Sequence, residues 1–298
     1  MKATRARGGD AVAPRGRDES SAAAASLRPR GRAAAIASLD ALFRFRGAST
    51  ARADMMLAVG AFAALVLLWH AVAAYEVVPQ RYLPVPWRVF ETLWLMLTER
   101  GFSEDIGITV GRVWTAFLLS AVMAIPIGLW MSSFRVVGAV LEPVVDFIRY
   151  LPVPALVPLL IIWFGIGEAS KIAVLWMGTF FQLVLLVADD AKRVPREFVE
   201  IGYTLGAKPR QILKDIVLRS MLPSTVDNLR ITLGWCWTWI IVAEIVAAND
   251  GIGHVIWSSR RFVKTPEVMA GILTVGIIGL VTDQAIRLLS RRLFGYLR

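Results

Sequence analysis

Few residue types in this chain are suited to covalent chemistry. Its 298 residues include one cysteine and two histidines. His70 and His254 stand far apart in sequence without a ligand-like neighbour, and Cys236 lies inside a long apolar run. Neither a nucleophile–base pair nor a metal-ligand set assembles from such material, so no catalytic residue and no metal ligand is assigned. The chain also has no glycine-rich phosphate loop followed by Lys-Ser or Lys-Thr, so any nucleotide hydrolysis must come from another chain.

What remains is charge and polarity placed where they are costly. An ionised side chain in the centre of a bilayer costs about 2.5–3.5 kcal/mol on insertion scales, which makes each one a functional candidate. Asp146 and Arg149 are three residues apart and share a helical face. Two readings stand: a structural ion pair, or an arginine that meets an anionic substrate. Glu244 lines a gate or pairs with Arg112 or Arg260. Gln182 faces a path or makes an interhelical hydrogen bond. Pro143, Pro152, Pro154 and Pro158 interrupt one apolar run. Broken helices are tolerated in a membrane where they line a cavity. Residues 151–158, with Pro152 and Pro154, are therefore the candidate translocation path, and a packing kink is the alternative. Trp235 and Trp239 share a face while Trp237 points elsewhere, which suits either core packing or aromatic path walls.

These side chains need spans to hold them. The chain is 56% hydrophobic and 19% charged, with mean hydropathy +0.59. That is too apolar for a soluble domain and fits an all-α polytopic membrane protein. Six transmembrane helices are expected at about 55–75, 110–131, 138–164, 169–189, 226–248 and 268–286, each near the ~20 apolar residues a bilayer core requires. The net charge of +10 flanks spans and forms no soluble basic face, so nucleic acid is excluded as a partner. Residues 1–54 read as a disordered basic cytoplasmic tail. Ile36, Leu39 and Phe43 within it also suit a short helix lying on the inner leaflet. Lys and Arg near the span ends place both termini and the 190–223 loop in the cytoplasm, with Arg260, Arg261 and Lys264 as an exception on the outer side. Between the first two spans, Trp87, Phe90, Trp94 and Leu97 repeat at helical steps, which predicts an interfacial helix ended by Gly101.

The 190–223 loop contains EIGYTLGAKPRQILKDIVLRSMLP from Glu200 to Pro223. It reads as a helix over 196–205, a turn over 206–209 and a second helix over 210–219. Gly206 takes positive φ without steric cost, and Pro209 suits a first helical turn. Glu200 can accept hydrogen bonds or pair with a basic residue across the joint. Such a unit offers a rigid handle to a soluble partner, and an ordinary helical hairpin is the bland alternative.

The loop resembles the cytoplasmic motif of permease subunits in binding-protein-dependent ABC importers: Glu-Ala-Ala, three residues, Gly, nine residues, Ile-x-Leu-Pro. Glu200-Ile201-Gly202 takes the first triplet, Gly206 the glycine and Ile216-Val217-Leu218 the closing hydrophobics. Ile201-Gly202 replaces Ala-Ala, and Arg219 replaces the proline, with Pro223 four residues on. Arg149-Tyr150-Leu151-Pro152-Val153-Pro154, the run from Trp163 to Lys171, Leu83-Pro84-Val85-Pro86 and Asn249-Asp250-Gly251-Ile252-Gly253 look like the nitrate/sulfonate/taurine (and bicarbonate) permease group.

The resemblance implies a type I ABC importer permease fold over residues 55–298 in the bacterial inner membrane. Glu200, Gly202, Gly206, Ala207, Lys208, Pro209, Ile216 and Leu218 would then couple to ABC ATPase subunits. Those subunits would hold ATP and Mg, leaving this chain without a cofactor or an active site of its own. A periplasmic binding protein would dock on residues 76–105 and 249–266. Two copies of the chain would form a homodimer within membrane lipid and pass a small anion of nitrate, sulfonate, taurine or bicarbonate type. The alternative is a self-contained secondary transporter or channel. It predicts inverted repeats and mid-membrane coupling carboxylates. No such repeat is evident, and Asp146 is the one deep carboxylate.

Overall fold

The computed structural model describes residues 51–295, and these lie in helices and the turns between them. Of the tail expected to be disordered over residues 1–54, residues 1–50, with the leaflet helix at Ile36, Leu39 and Phe43, fall outside the described residues, whereas residues 51–54 are helical and open the first span. The chain divides into two units between Leu65 and Val66. The first contributes the beginning of α1 (Ala51–Ala74). An 18-residue window within Arg52–Ala74 of this helix has mean hydropathy 2.2, and the segment reaches about 34 Å at 1.5 Å per residue, enough to cross a bilayer core.

In the second unit, α2 (Pro86–Glu99) begins on a proline whose missing N–H would have no helical partner, and Gly101 follows it at φ +67°. Its expected stripe of Trp87, Phe90, Trp94 and Leu97 is exposed. The opposite face buries Val89 and Met96 beside Phe102, Ile252, Ile256 and Ala270. The helix thus packs on one side and leaves its aromatic side outward, as an interfacial helix requires.

The core is the contact of α3 (Phe102–Ser133) with α6 (Glu168–Lys192). A Cβ at Gly128 would stand 2.6 Å from the Val184 carbonyl oxygen and 2.8 Å from the Val187 side chain. The backbones approach there because no side chain intervenes. Ser120 and Thr179 join the same two helices by a buried 2.9 Å hydrogen bond. Leu183, Val184 and Val187 fill the remaining space against Ala121, Ala124 and Leu129.

The expected span at 138–164 is two helices, α4 (Arg135–Arg149) and α5 (Val153–Phe164), whose axes differ by 102°. At about 22 and 18 Å, neither matches a ~30 Å hydrocarbon core alone. Among the described residues five helices are long and apolar enough to cross singly, and the bent pair makes six if counted as one span. Only one of the four prolines makes the break. Pro143 and Pro158 sit inside helices and Pro154 in the first turn of α5, whereas Pro152 is extended at ψ 107°. Pro152 also disfavours the helical region for Leu151 before it.

The helix α7 (Arg196–Thr204) matches expectation within a residue. The second loop helix does not end at Arg219. A short α8 (Pro209–Gln211), a π-helical stretch Ile212–Val217 and α9 (Leu218–Ala247) follow without a gap. No glycine or extended residue stops the rod, and Pro223 is carried inside it. The loop's second half is therefore an extension of the fifth span. Past the turn at Gly251, α10 (Ile252–Arg261) and α11 (Thr265–Leu293) complete the described chain.

Candidate translocation cavity and coupling loop

Halfway along α6 and α9, the broken span leaves a cavity of about 420 Å³. The break supplies Arg149, Leu151 and Pro152 to its wall, α6 supplies Gly178 and Gln182, and α9 supplies Trp235, Thr238 and Trp239. Arg149 is the one charged residue among those lining it. Asp146, outside the lining, pairs with Arg149 at 3.0 Å. The guanidinium also donates to the Tyr150 hydroxyl at 2.9 Å and lies 4.5 Å over that ring. The expected pair forms, and the arginine still borders the cavity.

Gln182 and Pro152 line the cavity. Pro154 does not: it is exposed and absent from the lining. Of the tryptophans, Trp235 and Trp239 face the cavity, and Trp237 is buried and donates to the Thr282 hydroxyl at 3.2 Å. The four-residue step from Trp235 to Trp239, which keeps both on one helical face and turns Trp237 away, was the signal that separated them.

Glu244 is not on the cavity. It is fully buried at the opposite end of α9 from the loop, where Arg112 donates to it at 2.8 Å. Arg112 also grips Glu168 with two nitrogens, at 2.7 and 2.6 Å, and pairs with Asp250. Lys171 adds a second cation, 2.8 Å from Glu168. Asp105, Thr109 and Glu244 accept the backbone N–H groups of Gly251, Ile252 and Gly253, which are the free donors at the start of α10. The Asn249–Gly253 turn is glycine-rich for this reason. A Cβ at Gly251, which has φ +96°, would stand 2.4 Å from a Glu244 oxygen. One at Gly253 would meet Glu244 Cβ at 2.7 Å. The Arg112 guanidinium holds the Asp250 carboxyl below the usual carboxylate range. Sequence reasoning offered Arg112 only as one possible partner for Glu244 and missed it as the centre of a five-residue cluster.

At the other end, α7 closes in a Schellman turn. Gly206 has φ +79°, its N–H reaches the Tyr203 carbonyl at 2.9 Å, and the Ala207 N–H reaches the Gly202 carbonyl at 3.0 Å. Gln211 reaches back to accept the Lys208 N–H at 2.8 Å, with Pro209 in the first turn between them. Gly202 is buried because a Cβ there would meet Ile216 Cδ1 at 2.6 Å, so the departure from Ala in the motif makes room for this isoleucine. Ile216 and Leu218 are partly buried, while Lys208 and Pro209 are exposed. Glu200 is exposed and, among the described residues, its carboxylate makes no ion pair across the joint, contrary to one reading of it. The sequence reading passed over the outward apolar face of this unit. Phe198, Ile201 and Tyr203 are about half exposed and Leu205 is 80% exposed. Large apolar side chains clustered on a short helical unit mark a contact surface.

Residues 101–295, which hold the cavity, the Arg112 cluster and the loop, match the family described as binding-protein-dependent transport system inner membrane component. The chain belongs to that family. This permease is 31% identical over 245 residues to the taurine transport system permease protein TauC of Escherichia coli (strain K12), covering 80% of this chain and 89% of that one. It is 29% identical over 231 residues to the putative aliphatic sulfonates transport permease protein SsuC of Bacillus subtilis (strain 168), covering 78% and 84%. It is 26% identical over 239 residues to the nitrate import permease protein NrtB of Synechocystis sp., covering 77% and 86%. Among solved structures, an inward-facing MetNI methionine ABC transporter aligns with TM-score 0.57 at 18% identity, over 66% of this chain and 97% of that one. At that identity the likeness concerns the fold, and it agrees with a type I importer permease. The family supports the importer reading and not the self-contained transporter or channel.

Proposed function

We propose that this permease forms the inner-membrane path for a small anion of nitrate, sulfonate, taurine or bicarbonate type. A periplasmic binding protein delivers the anion, and a separate ATPase that holds ATP and Mg drives its passage. The observation that carries the anion is the cavity, whose one charged lining residue is Arg149. The relatives named for taurine, aliphatic sulfonates and nitrate support it.

In this reading the ATPase seats the apolar face of α7 and the exposed Glu200, Lys208 and Pro209. The binding protein docks on residues 76–105 and 249–266, with both termini cytoplasmic and a second copy of the chain completing the path. No bond is made or broken in the permease. Its task is to turn closure of the ATPases into movement of α6 and α9 about the cavity.

The test is co-purification of a co-expressed cognate ATPase in detergent, followed by uptake in proteoliposomes. Wild type is expected to retain the ATPase, and Gly206→Asp to lose it. Uptake of the anion should require ATP and the binding protein. A wild-type chain that retains no ATPase, or that accumulates the anion without ATP, would overturn the proposal.

A further inference from the structure

We infer that the cavity is a substrate-binding subsite of the permease itself, in which Trp239 seated on Gly178 sets the size of anion admitted. This rests on the anion-import reading. A Cβ at Gly178 would fall 2.6 Å from Trp239 Cδ1, 2.8 Å from its Nε1 and 2.9 Å from its Cγ. The indole therefore lies directly on the α6 backbone, a position only glycine leaves open. Both residues line the cavity. A methyl group at 178 forces the ring off the helix and into the cavity space, so one small residue governs how much of the 420 Å³ is free. That volume is at the lower end of the ~300–1,000 Å³ typical of ligand pockets.

The lining also selects by chemistry. Among the described residues, the Gln182 carboxamide and the indole N–H groups of Trp235 and Trp239 have no hydrogen-bond partner within the chain. These groups are open to the cavity and not enclosed, so they are available to donate to a ligand that accepts. Arg149 adds a cation, and no carboxylate lines the space to compete with an anion. The indole faces, Met177 and Leu156 leave the rest apolar. The fitting ligand is a monoanion with a short apolar body, its acidic head on the donors and its body between the tryptophans.

The experiment titrates the purified permease–ATPase complex, without binding protein, with methane-, butane- and hexanesulfonate and with nitrate, following tryptophan fluorescence. It compares wild type, Gly178→Ala, Trp239→Ala and the double variant. Gly178→Ala is expected to weaken hexanesulfonate at least tenfold while methanesulfonate changes less than threefold. Trp239→Ala should admit hexanesulfonate more readily. The double variant should follow Trp239→Ala, because the methyl group acts only through the ring. Retention of the ATPase by Trp239→Ala shows that the body is folded even if Gly178→Ala is not. Equal chain-length profiles in wild type and Trp239→Ala, or no binding of any sulfonate, would overturn the inference. Wild-type proteoliposomes with binding protein and ATP separate the two levels. Import of none of these anions sinks the anion-import reading itself, whereas import with nothing bound in the cavity sinks the subsite alone.

Discussion

Arg112 meets three carboxylates, from Glu168, Glu244 and Asp250, and among the described residues only Lys171 adds a second cation. Because Glu244 is fully buried, Arg112→Met leaves it without its cation. Removing one partner of a buried pair costs about 3–5 kcal/mol, so a marked fall in the melting temperature in detergent is expected. Adding Glu244→Gln should recover part of the loss, and no recovery would show that the pair is not the source. Asp250 lends itself to a pH test. Its folded pKa is depressed, so its contribution is complete above the ordinary value of about 3.9 and is lost as pH falls through the folded value. The stability difference between wild type and Asp250→Asn should be flat from pH 8 to 5 and should narrow only below pH 4. A difference that closes between pH 7 and 5 would contradict this linkage.

At the scale of elements, the α7 turn rests on two glycines with different tasks. Gly206 has open space around it and φ +79°, so Gly206→Ala meets only the backbone cost of the left-handed region. That cost is about 1–2 kcal/mol, and ATPase retention should persist at reduced melting temperature. Gly202 has ordinary helical backbone but no room, because Ile216 and Ile212 fill the site. Gly202→Leu should cost about 1–3 kcal/mol by overpacking, and pairing it with Ile216→Ala should relieve much of that. If relief is absent in thermal melts, the two helical pieces do not pack as described. Leu205→Glu should leave the melting temperature unchanged and abolish ATPase retention, since this side chain is 80% exposed and braces nothing internal.

At the scale of the whole second unit, α6 and α9 are pinned at both ends. Near the loop, the buried Asp190 accepts from Asn228 at 2.7 Å and from Thr225 at 3.2 Å. At the far end, Arg112 joins Glu168 and Glu244, which belong to the same two helices. Between the pins lies the cavity. In the proposed function, a push on α7 and the π-helical stretch would reach the cavity through this braced pair of helices. Loosening the near pin should separate docking from transport. Asn228→Ala is expected to keep ATPase retention within twofold of wild type while ATP-driven uptake falls at least tenfold. Loss of both together would assign Asn228 to folding alone.

The membrane class, most of the helices, the turn at Gly206 and the family were legible in the order of residues alone. Each follows from local quantities: runs of apolar residues, prolines and glycines at fixed spacings, and charge at span ends. The same order also placed Arg149, Pro152 and Gln182 as path candidates, because polar groups and broken backbone are costly in lipid wherever they occur. The rest depended on contacts between residues distant in the chain. Only packing against Ile216 explains glycine in place of alanine at 202, and only the 102° bend makes a cavity of the break. The sequence could propose Glu244 for the path, but its fate depended on Arg112, which is 132 residues away in the chain and 2.8 Å away in space. A buried charge declares itself in sequence by its cost, whereas its partner is chosen by the fold.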